Sequence, residues 1–412
     1  MKPLNLLITT EFYYPSIGGV QEATKQLAEI LVSRGHQVTI VTTKLKNRSK
    51  NIINNVFIKE FSITGNWING FKGEYQEYQD YLRTSNFDVI LNYAAQQWAT
   101  DLMLPILDEI HGKKVLVPCG YSGLFSPIYQ QYYENMKKWI REYDACVYLS
   151  NNYRDINFAH KFGVKNDIVI PNGASQKEFL EELRIDIKSI LQIPYNHFLI
   201  LHVGSHTGLK GHKEAIKIFK RAKITNSTLL IVGSNEGSCF NSCKRSELLN
   251  KYNPLIKYLG KNIIVTELSR EQTIASFKTA DIFLFPSRIE CSPIVLFECM
   301  ASGTPFLTTD VGNAPEIINW SNSGILLPTD HNNGYSYVKI RESAKVLEKI
   351  YSDNEMRDNM SKFGFNKWKE YFTWEKIAEG YEGLFYALLK NVSLEKLKTE
   401  NPWKYWNLTK EA

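Results

Sequence analysis

The chain of 412 residues is 43% hydrophobic and 22% charged, with 24 glycines and 14 prolines. These fractions are ordinary for globular proteins and exclude wholesale disorder, collagen and low-complexity classes. The formal net charge of +6 comes from 49 basic and 43 acidic side chains. It is a mild bias towards anionic partners and falls short of a nucleic-acid footprint. Phosphate-bearing small molecules and an anionic membrane surface fit it equally well.

The cysteine pattern and the hydropathy indicate a cytoplasmic protein. The six cysteines form no CxxC pair, and several lie in apolar runs, which favours a reducing compartment. Cys239 and Cys243 are four residues apart, but no neighbouring Cys or His in the sequence completes a zinc pattern. The first apolar run is too short for a signal peptide, and no window approaches about 18 uninterrupted apolar residues.

Short apolar runs alternate with amphipathic stretches through the first half of the chain. The run 4–10 predicts a strand, and apolar residues at helical spacing over 20–33 predict the helix that follows, with Gly35 at its C-terminal end. Further strands are predicted at 37–43, 56–61, 88–93, 114–118, 144–149 and 167–170. This alternation predicts a parallel sheet with helices on both faces.

A second unit of the same kind begins after a linker at 171–194. Its strands are predicted at 198–203, 229–232, 263–266, 282–285, 305–307 and 324–327. Residues 337–390 have long helical periodicity without a strand signal, and Trp403, Tyr405 and Trp406 predict a docked tail. Two doubly wound halves predict a cleft between the carboxyl ends of two sheets, where ligands of such folds bind.

In each half, one glycine-containing segment follows the first strand. Gly18 and Gly19 precede the first helix, where backbone amides can approach a phosphate or a sugar, although a plain tight turn is an even alternative. Residues 204–211 combine glycines and hydroxyls with Lys210, which suits a diphosphate. The spacing is not that of a P-loop, and on this stretch alone a solvated turn is slightly favoured.

A pair of carboxylates follows the strand predicted at 282–285. Glu290 and Glu298 are eight apart, so a helix starting near Pro293 places Glu290 in the loop and Glu298 on its second turn. The free amides of the first turn can face a phosphate, and the two acids can hold hydroxyls of a ribose and a sugar. A solvated charge pair is the alternative, which the apolar surroundings weaken.

The order of these elements resembles family 4 of the retaining glycosyltransferases, also described as group 1, which have the GT-B fold. The resemblance covers nearly the whole chain, and the Glu-x7-Glu element is its most specific part. Matching segments lie at 14–20, 35–39, 170–173, 280–287, 290–298, 301–305, 311–316 and 372–375.

The resemblance implies two Rossmann-like α/β domains that face a central cleft, with a C-terminal helix crossing back. Residues 1–172 would bind the acceptor, 173–372 the nucleotide sugar, and 373–412 would pack on the first domain. The implied activity is metal-independent, retaining transfer of a hexose-type sugar from a nucleoside-diphosphate donor to a saccharide or lipid-linked acceptor. Surface polysaccharide or glycolipid assembly is the implied setting, and no cofactor is implied.

The resemblance also implies residue roles. Glu290 would contact donor-sugar hydroxyls, Glu298 the ribose and Lys210 the phosphates, while Cys119 stands where the family has a catalytic histidine. The implied catalytic residues are Glu290, Lys210 and Cys119. The implied donor-binding residues are Gly18, Gly19, Gly204, Ser205, His206, Lys210, Arg288, Glu290, Cys291, Ser292, Pro293, Ile294, Val295 and Glu298.

Two departures from the family pattern keep alternatives open. Ser205 stands near the place of a usual arginine, for which His206 or Arg288 is a candidate substitute, and the Cys119 thiol cannot reproduce imidazole hydrogen bonding. A non-catalytic nucleotide-sugar binder is therefore the second hypothesis. Basic and aromatic residues over 132–141 suit peripheral contact with an anionic membrane, with an ordinary surface helix as the more frequent explanation.

Overall fold

The computed structural model describes residues 2–400, with the side chains of residues 255 and 398–400 left out. The aromatic tail predicted to dock, with Trp403, Tyr405 and Trp406, lies outside the described residues. The chain forms two compact units. The first unit runs from the N-terminus to Asn172 and resumes at Trp374, and the second unit is Gly173–Thr373.

Ten strands and five helices of the first unit precede the boundary at Asn172. The strands are β1 (Asn5–Thr9), β2 (Gln37–Thr43), β3 (Ile52–Ile53), β4 (Val56–Phe61), β5 (Ile63–Asn66), β6 (Gly70–Gly73), β7 (Val89–Tyr93), β8 (Lys113–Val117), β9 (Ala145–Tyr148) and β10 (Asp167–Val169). The helices are α1 (Gly19–Ser33), α2 (Tyr75–Thr84), α3 (Trp98–Asp101), α4 (Gln130–Glu142) and α5 (Arg154–Lys161), with 3-10 turns at Leu104–Glu109 and Pro127–Tyr129.

The main sheet of the first unit has the order β10-β9-β8-β7-β1-β2-β4-β3. Its neighbours pair in parallel except β3, which is antiparallel to β4. The chain builds outward from β1 on one side and from β7 on the other, so the strand order switches between these two strands. The loops after β1 and β7 are therefore where a ligand of such a sheet binds.

The second unit repeats this plan with ten helices and eight strands among the described residues. The strands are β11 (Phe198–Val203), β12 (Ser227–Val232), β13 (Lys261–Thr266), β14 (Ile282–Phe285), β15 (Phe306–Thr308), β16 (Gly324–Leu326), β17 (Thr329–Asn332) and β18 (Tyr335–Val338). The helices are α6 (Gln176–Leu180), α7 (Ile187–Ile190), α8 (His212–Arg221), α9 (Gly237–Lys251), α10 (Pro254–Tyr258), α11 (Arg270–Thr279), α12 (Ile294–Ser302), α13 (Ala314–Ser321), α14 (Ile340–Ser352) and α15 (Asn354–Tyr371).

The parallel sheet of the second unit has the order β13-β12-β11-β14-β15-β16. Its switch lies between β11 and β14, the two strands that precede the Lys210 and Glu290 segments. Buried aliphatic and aromatic side chains of β11, β12 and β14 form the core against α8, α9 and α14. The predicted motifs thus follow the two strands that flank the switch point.

The last helices, α16 (Trp374–Leu389) and α17 (Leu394–Glu400), belong to the first unit. α16 packs against α1, and Glu382 receives hydrogen bonds there from Arg34 and lies 2.9 Å from His36 Nε2. These contacts hold the pKa of Glu382 below its usual value despite burial. The predicted α/β fold with a returning C-terminal helix is confirmed.

Some local features of the structure were not predicted. The linker 171–194 contains α6 and α7, and the helical pattern read from 337 overlaps the end of β18. The hairpins β5–β6 and β17–β18 were not predicted, because strands such as Thr329–Asn332 are exposed and carry no apolar run. In the described part of the chain, no helix combines the length and apolar character needed to span a bilayer.

Candidate active site

The loops after β11 and β14 touch each other at the switch point of the second unit. The Arg288 amide donates to the Leu209 carbonyl at 2.8 Å. Gly211 has φ +79°, and a Cβ there would lie 2.0 Å from the Pro286 carbonyl oxygen. Only glycine fits this approach, which brings the segment carrying Lys210 against the one carrying Glu290.

Lys210 and Glu290, two of the implied catalytic residues, form a direct ion pair. Lys210 Nζ lies 2.7 Å from Glu290 Oε1 and 2.9 Å from Oε2, and Ser287 Oγ donates to Oε1 at 2.7 Å. The Glu290 side chain is 9% exposed. Removal of either charge would leave the other unpaired in a largely dehydrated position. Ser287 was not predicted as a site residue, although it lies two residues after the end of β14, in the loop that leads to Glu290.

The segment from Cys291 to Val295 forms the entry to α12. The helix begins at Ile294 with Pro293 as its N-cap, as predicted, and proline offers no side-chain acceptor to its first amides. The loop is clamped from outside, because the Asn313 amide donates to the Cys291 carbonyl at 2.8 Å and Asn313 Nδ2 to Ser292 Oγ at 3.0 Å. The amide N–H groups at this helix end can therefore donate hydrogen bonds to a bound anion.

Glu298 lies on the second turn of α12 and is almost fully buried. Arg270 Nη1 lies 2.6 Å from Glu298 Oε1, and the same guanidinium binds Glu178 at 2.6 Å. The alternative of a solvated charge pair is thus wrong, since the Glu298 side chain is 5% exposed. Arg270 was missed because it lies 28 positions earlier in the chain, on a different helix.

The two candidate substitutes for the missing arginine are differently placed. Arg288 pairs with Glu214 at 2.7 Å and lies over the Tyr337 ring. His206 stacks on His212 with ring centroids 4.1 Å apart, and burial lowers the pKa of both imidazoles, far below the usual value for His212. His206 therefore offers a neutral ring, and not a positive charge, near Gly204 and Ser205. The cation in contact with the Glu290 carboxylate is Lys210.

His206 also lies beside the two cysteines of α9. Its Nδ1 is 3.5 Å from Cys239 Sγ, and Cys243 follows one helical turn later. The sequence offered no metal-ligating partner for Cys239 and Cys243, because His206 lies 33 positions before Cys239; the fold brings it beside them from the loop after β11.

In the first unit, Gly18 and Gly19 form the start of α1 after β1. Gly18 is extended, with φ 170°, and a Cβ there would meet only the flexible end of Gln21. No side chain caps this helix end. The amides are thus available to an anion or a hydroxyl, while the backbone conformation itself makes little demand for glycine.

Cys119 lies after β8 in a left-handed conformation, with φ +58°. Burial, with the nearby Asp155 carboxylate as a second cause, raises the pKa of the Cys119 thiol. Asp155 accepts from the Gly120 amide at 2.8 Å, and burial raises its pKa to about 6. The thiol is therefore protonated at neutral pH, which argues against a thiolate nucleophile and leaves Cys119 a weak donor.

The carboxyl end of β7 holds a polar network that sequence reasoning missed. Gln97 Oε1 accepts from the Glu11 amide at 2.8 Å and so joins the loops after β1 and β7. Asp101 accepts from Tyr132 Oη at 2.9 Å and from the Gln96 amide at 3.2 Å. Burial raises the pKa of Asp101 to about 6 and that of Glu11 above its usual value. Only Glu11 gave a sequence signal, because it stands just after the first apolar run, whereas Asp101 lies eight residues beyond the end of β7.

Gln96 presents its side chain at the same edge. Its backbone is left-handed, with φ +64°, and its Oε1 accepts from Ser122 Oγ and the Gly123 amide, each at 3.2 Å. Its Nε2 is buried and has no hydrogen-bond partner. Ala94 and Tyr121 are also left-handed nearby, and such strained backbone clusters at binding sites.

A cavity of about 770 Å³ lies between α4 and α5 of the first unit. Basic side chains of Lys137, Arg154 and Lys161 line it beside exposed Phe125. The aromatic residues of 132–141 do not face solvent here, because Tyr132, Tyr133 and Trp139 are buried. For these aromatic residues the ordinary-helix alternative therefore holds.

Two family models match consecutive parts of the chain. The model described as Glycosyltransferase Family 4 matches residues 17–177, and the model described as Glycosyl transferases group 1 matches residues 184–367. The chain belongs to the family 4, group 1 glycosyltransferases. The N-acetyl-alpha-D-glucosaminyl L-malate synthase of Bacillus anthracis is 23% identical to this glycosyltransferase and covers 92% of this chain and 96% of its own.

Solved structures of low sequence identity share the GT-B fold of this glycosyltransferase. The sucrose-phosphate synthase of Thermosynechococcus elongatus aligns with a TM-score of 0.75 at 18% identity, over 94% of this chain and 99% of its own. HepE of Anabaena, solved with UDP and glucose, aligns with a TM-score of 0.70 at 14% identity, over 93% of this chain and 100% of its own.

Another relative was found by its sequence. CapM of Staphylococcus aureus, a capsular polysaccharide biosynthesis glycosyltransferase, is 25% identical over 47% of each chain.

Proposed function

We propose that this glycosyltransferase moves a hexose from a nucleoside-diphosphate donor to a saccharide or lipid-linked acceptor, with retention of anomeric configuration. The observation that carries the proposal is the Lys210–Glu290–Ser287 cluster, which joins the two loops at the switch point of the second unit. The second unit binds the donor and the first unit binds the acceptor.

Lys210 binds the donor phosphates while it remains paired with Glu290. An ammonium group has three N–H donors, and two hydrogen-bond contacts join it to the Glu290 carboxylate. The third donor is available to a phosphate oxygen. As the bond between the sugar and the diphosphate breaks, negative charge grows on the diphosphate. Lys210 and the first amides of α12 therefore stabilise the transition state more than the ground state.

Glu290 positions the sugar. A carboxylate has about four acceptor sites, and the contacts from Lys210 and Ser287 leave capacity for a sugar hydroxyl. Glu298 is proposed to hold the ribose, with Arg270 fixing its orientation. The departing phosphate deprotonates the acceptor on the same face of the sugar, so the mechanism needs neither a carboxylate nucleophile nor a catalytic metal.

The acceptor is proposed to bind the polar edge formed by Glu11, Gln96 and Cys119 in the first unit. The unpartnered Nε2 of Gln96 is a donor suited to a hydroxyl. The cationic cavity with Lys137, Arg154 and Lys161 suits an acidic saccharide or a phosphate of a lipid-linked acceptor, which supports peripheral contact with the inner face of a membrane. The likeness to CapM supports a role in surface polysaccharide or glycolipid assembly.

The first test is thermal unfolding with UDP, GDP, ADP and CMP, followed by their sugar conjugates. We expect one diphosphate to raise the melting temperature at micromolar concentration. Glu298→Ala and Lys210→Met should each lose most of this shift, while Lys217→Met, an exposed lysine on α8, keeps it. Absence of a shift with every nucleotide contradicts the donor assignment.

The second candidate is a non-catalytic nucleotide-sugar binder, favoured by the neutral Cys119 thiol and the neutral His206 ring. Product analysis separates the two functions. Transfer to an acceptor or slow hydrolysis of the bound donor supports the enzyme. Donor-induced stabilisation without either reaction supports the binder. NMR of the glycosidic product then reports whether the anomeric configuration is retained.

A further inference from the structure

Three metal-ligating side chains of the second unit meet beside the Lys210 loop. His206 comes from the loop after β11, and Cys239 and Cys243 lie one turn apart on α9. One ligand atom from each residue lies within 4.8 Å of the other two. Both cysteines are buried and His206 is half-buried. Among the described residues, this is the group of His, Cys, Asp and Glu that could hold a metal ion.

The separations suit a tetrahedral zinc site. Zinc bonds of about 2.1 Å to nitrogen and about 2.3 Å to sulfur imply a nitrogen–sulfur edge of about 3.6 Å in a tetrahedron. The distance from His206 Nδ1 to Cys239 Sγ is 3.5 Å. The two residues thus already have the spacing that a shared ion requires, and the Cys243 ligand atom lies within 4.8 Å of both.

A disulfide between the two cysteines fits less well. Residues four apart on a helix have Cβ atoms about 5–6 Å apart, whereas a disulfide needs about 3.5–4.5 Å. Closing that gap would distort α9, while a metal ion bridges two thiolates at the helical spacing. The nearby imidazole adds the third ligand, a combination that soft and borderline ions prefer over magnesium.

We propose that His206, Cys239 and Cys243 bind one Zn²⁺ ion, with water in the fourth position. Binding replaces the two thiol protons, which leave to solvent. The ion joins the loop after β11 to α9 and thereby orders the loop that carries Lys210, four residues beyond His206. The ion would link the loop to α9, and the proposed sugar transfer uses no metal.

The test is zinc binding to the full-length protein after chelator treatment, measured by competition with a chromophoric chelator. We expect one Zn²⁺ per chain. Cys239→Ser and Cys243→Ser should each weaken the affinity by about 100-fold or more, since even outer-shell changes weaken such sites 10- to 100-fold. Cys146→Ser is the matched control, because Cys146 is a buried cysteine of the first unit.

A second measurement identifies the ligands directly. Cobalt(II) should give a thiolate-to-metal charge-transfer band in the wild type and in Cys146→Ser, and lose it in the Cys239→Ser/Cys243→Ser double variant. Zinc should also raise the melting temperature of the wild type and not that of the double variant. Sub-stoichiometric zinc binding, or equal binding by the double variant and the wild type, overturns the proposal. Neither readout depends on sugar transfer.

Discussion

The switch-point edges of the two units are built from different chemistry. In the second unit the loops after β11 and β14 are joined by a lysine–glutamate ion pair and by a glycine that no other residue can replace. In the first unit the loops after β1 and β7 are joined by the Gln97 amide, and the nearby acids are buried with raised pKa values. The second edge is thus joined by an ion pair, while the first edge is joined by a neutral amide.

This difference matches the two proposed substrates. A nucleoside diphosphate has the same charge and shape in every turnover, so fixed charges can be arranged for it in advance. Acceptor hydroxyls are neutral, and amide side chains both donate and accept hydrogen bonds to them. The comparison predicts that substitutions in the second unit damage the chemistry, and that substitutions in the first unit change acceptor recognition.

The largest effect is expected from Lys210→Met. Loss of the ammonium removes a charge that stabilises the departing diphosphate and leaves Glu290 without its cation. We expect kcat to fall by about 10²- to 10³-fold, the size found when one such electrostatic donor is removed. Steady-state kinetics of sugar transfer measure it, with Lys217→Met as control. A loss below tenfold would contradict the proposed role of Lys210.

The next effect compares the two glycine turns. Gly211→Ala places a Cβ against the Pro286 carbonyl at a left-handed position, so we expect a loss of about 2–3 kcal/mol in the free energy of unfolding. Gly18→Ala meets only a mobile glutamine side chain and should cost less than about 1 kcal/mol. Denaturant unfolding measures both. Equal losses would show that the two turns do not differ as described.

The buried acids of the first unit predict a pH dependence. The pKa of Asp155 is raised to about 6 in the folded protein, so its neutral form is favoured by folding. Its contribution to stability is complete below about pH 4 and is lost as the pH rises through 6. Wild type should therefore lose roughly 1–3 kcal/mol relative to Asp155→Asn between pH 4 and 7. Parallel unfolding curves across this range would exclude the raised pKa.

The smallest effect is expected from Gln96→Ala. Loss of the unpartnered Nε2 donor should raise KM for the acceptor by several-fold, the size of one neutral hydrogen bond, and leave donor-induced stabilisation unchanged. Kinetics with varied acceptor and thermal unfolding with donor measure the two effects. A change in donor binding instead would assign Gln96 to the other substrate.

The sequence was sufficient for most of the fold because both sheets consist of buried apolar strands at regular intervals. It also placed Lys210, Glu290 and the start of α12, whose roles depend on local spacing. It missed Arg270, Gln97 and the His206 partner of the cysteines, because each acts across a long separation in the chain. Short exposed strands such as β17 were missed because exposed positions carry no hydrophobic pattern.

The return of α16 to the first unit affects which of the two units can complete its folding first during synthesis. All residues of the second unit are translated before Trp374, the first residue of α16, is added. Until then, the α1 surface that α16 covers has no partner, and Glu382 cannot meet Arg34 and His36. The unit whose translation begins first is thus the last to complete its native contacts, an inversion of the usual N-terminal-first order.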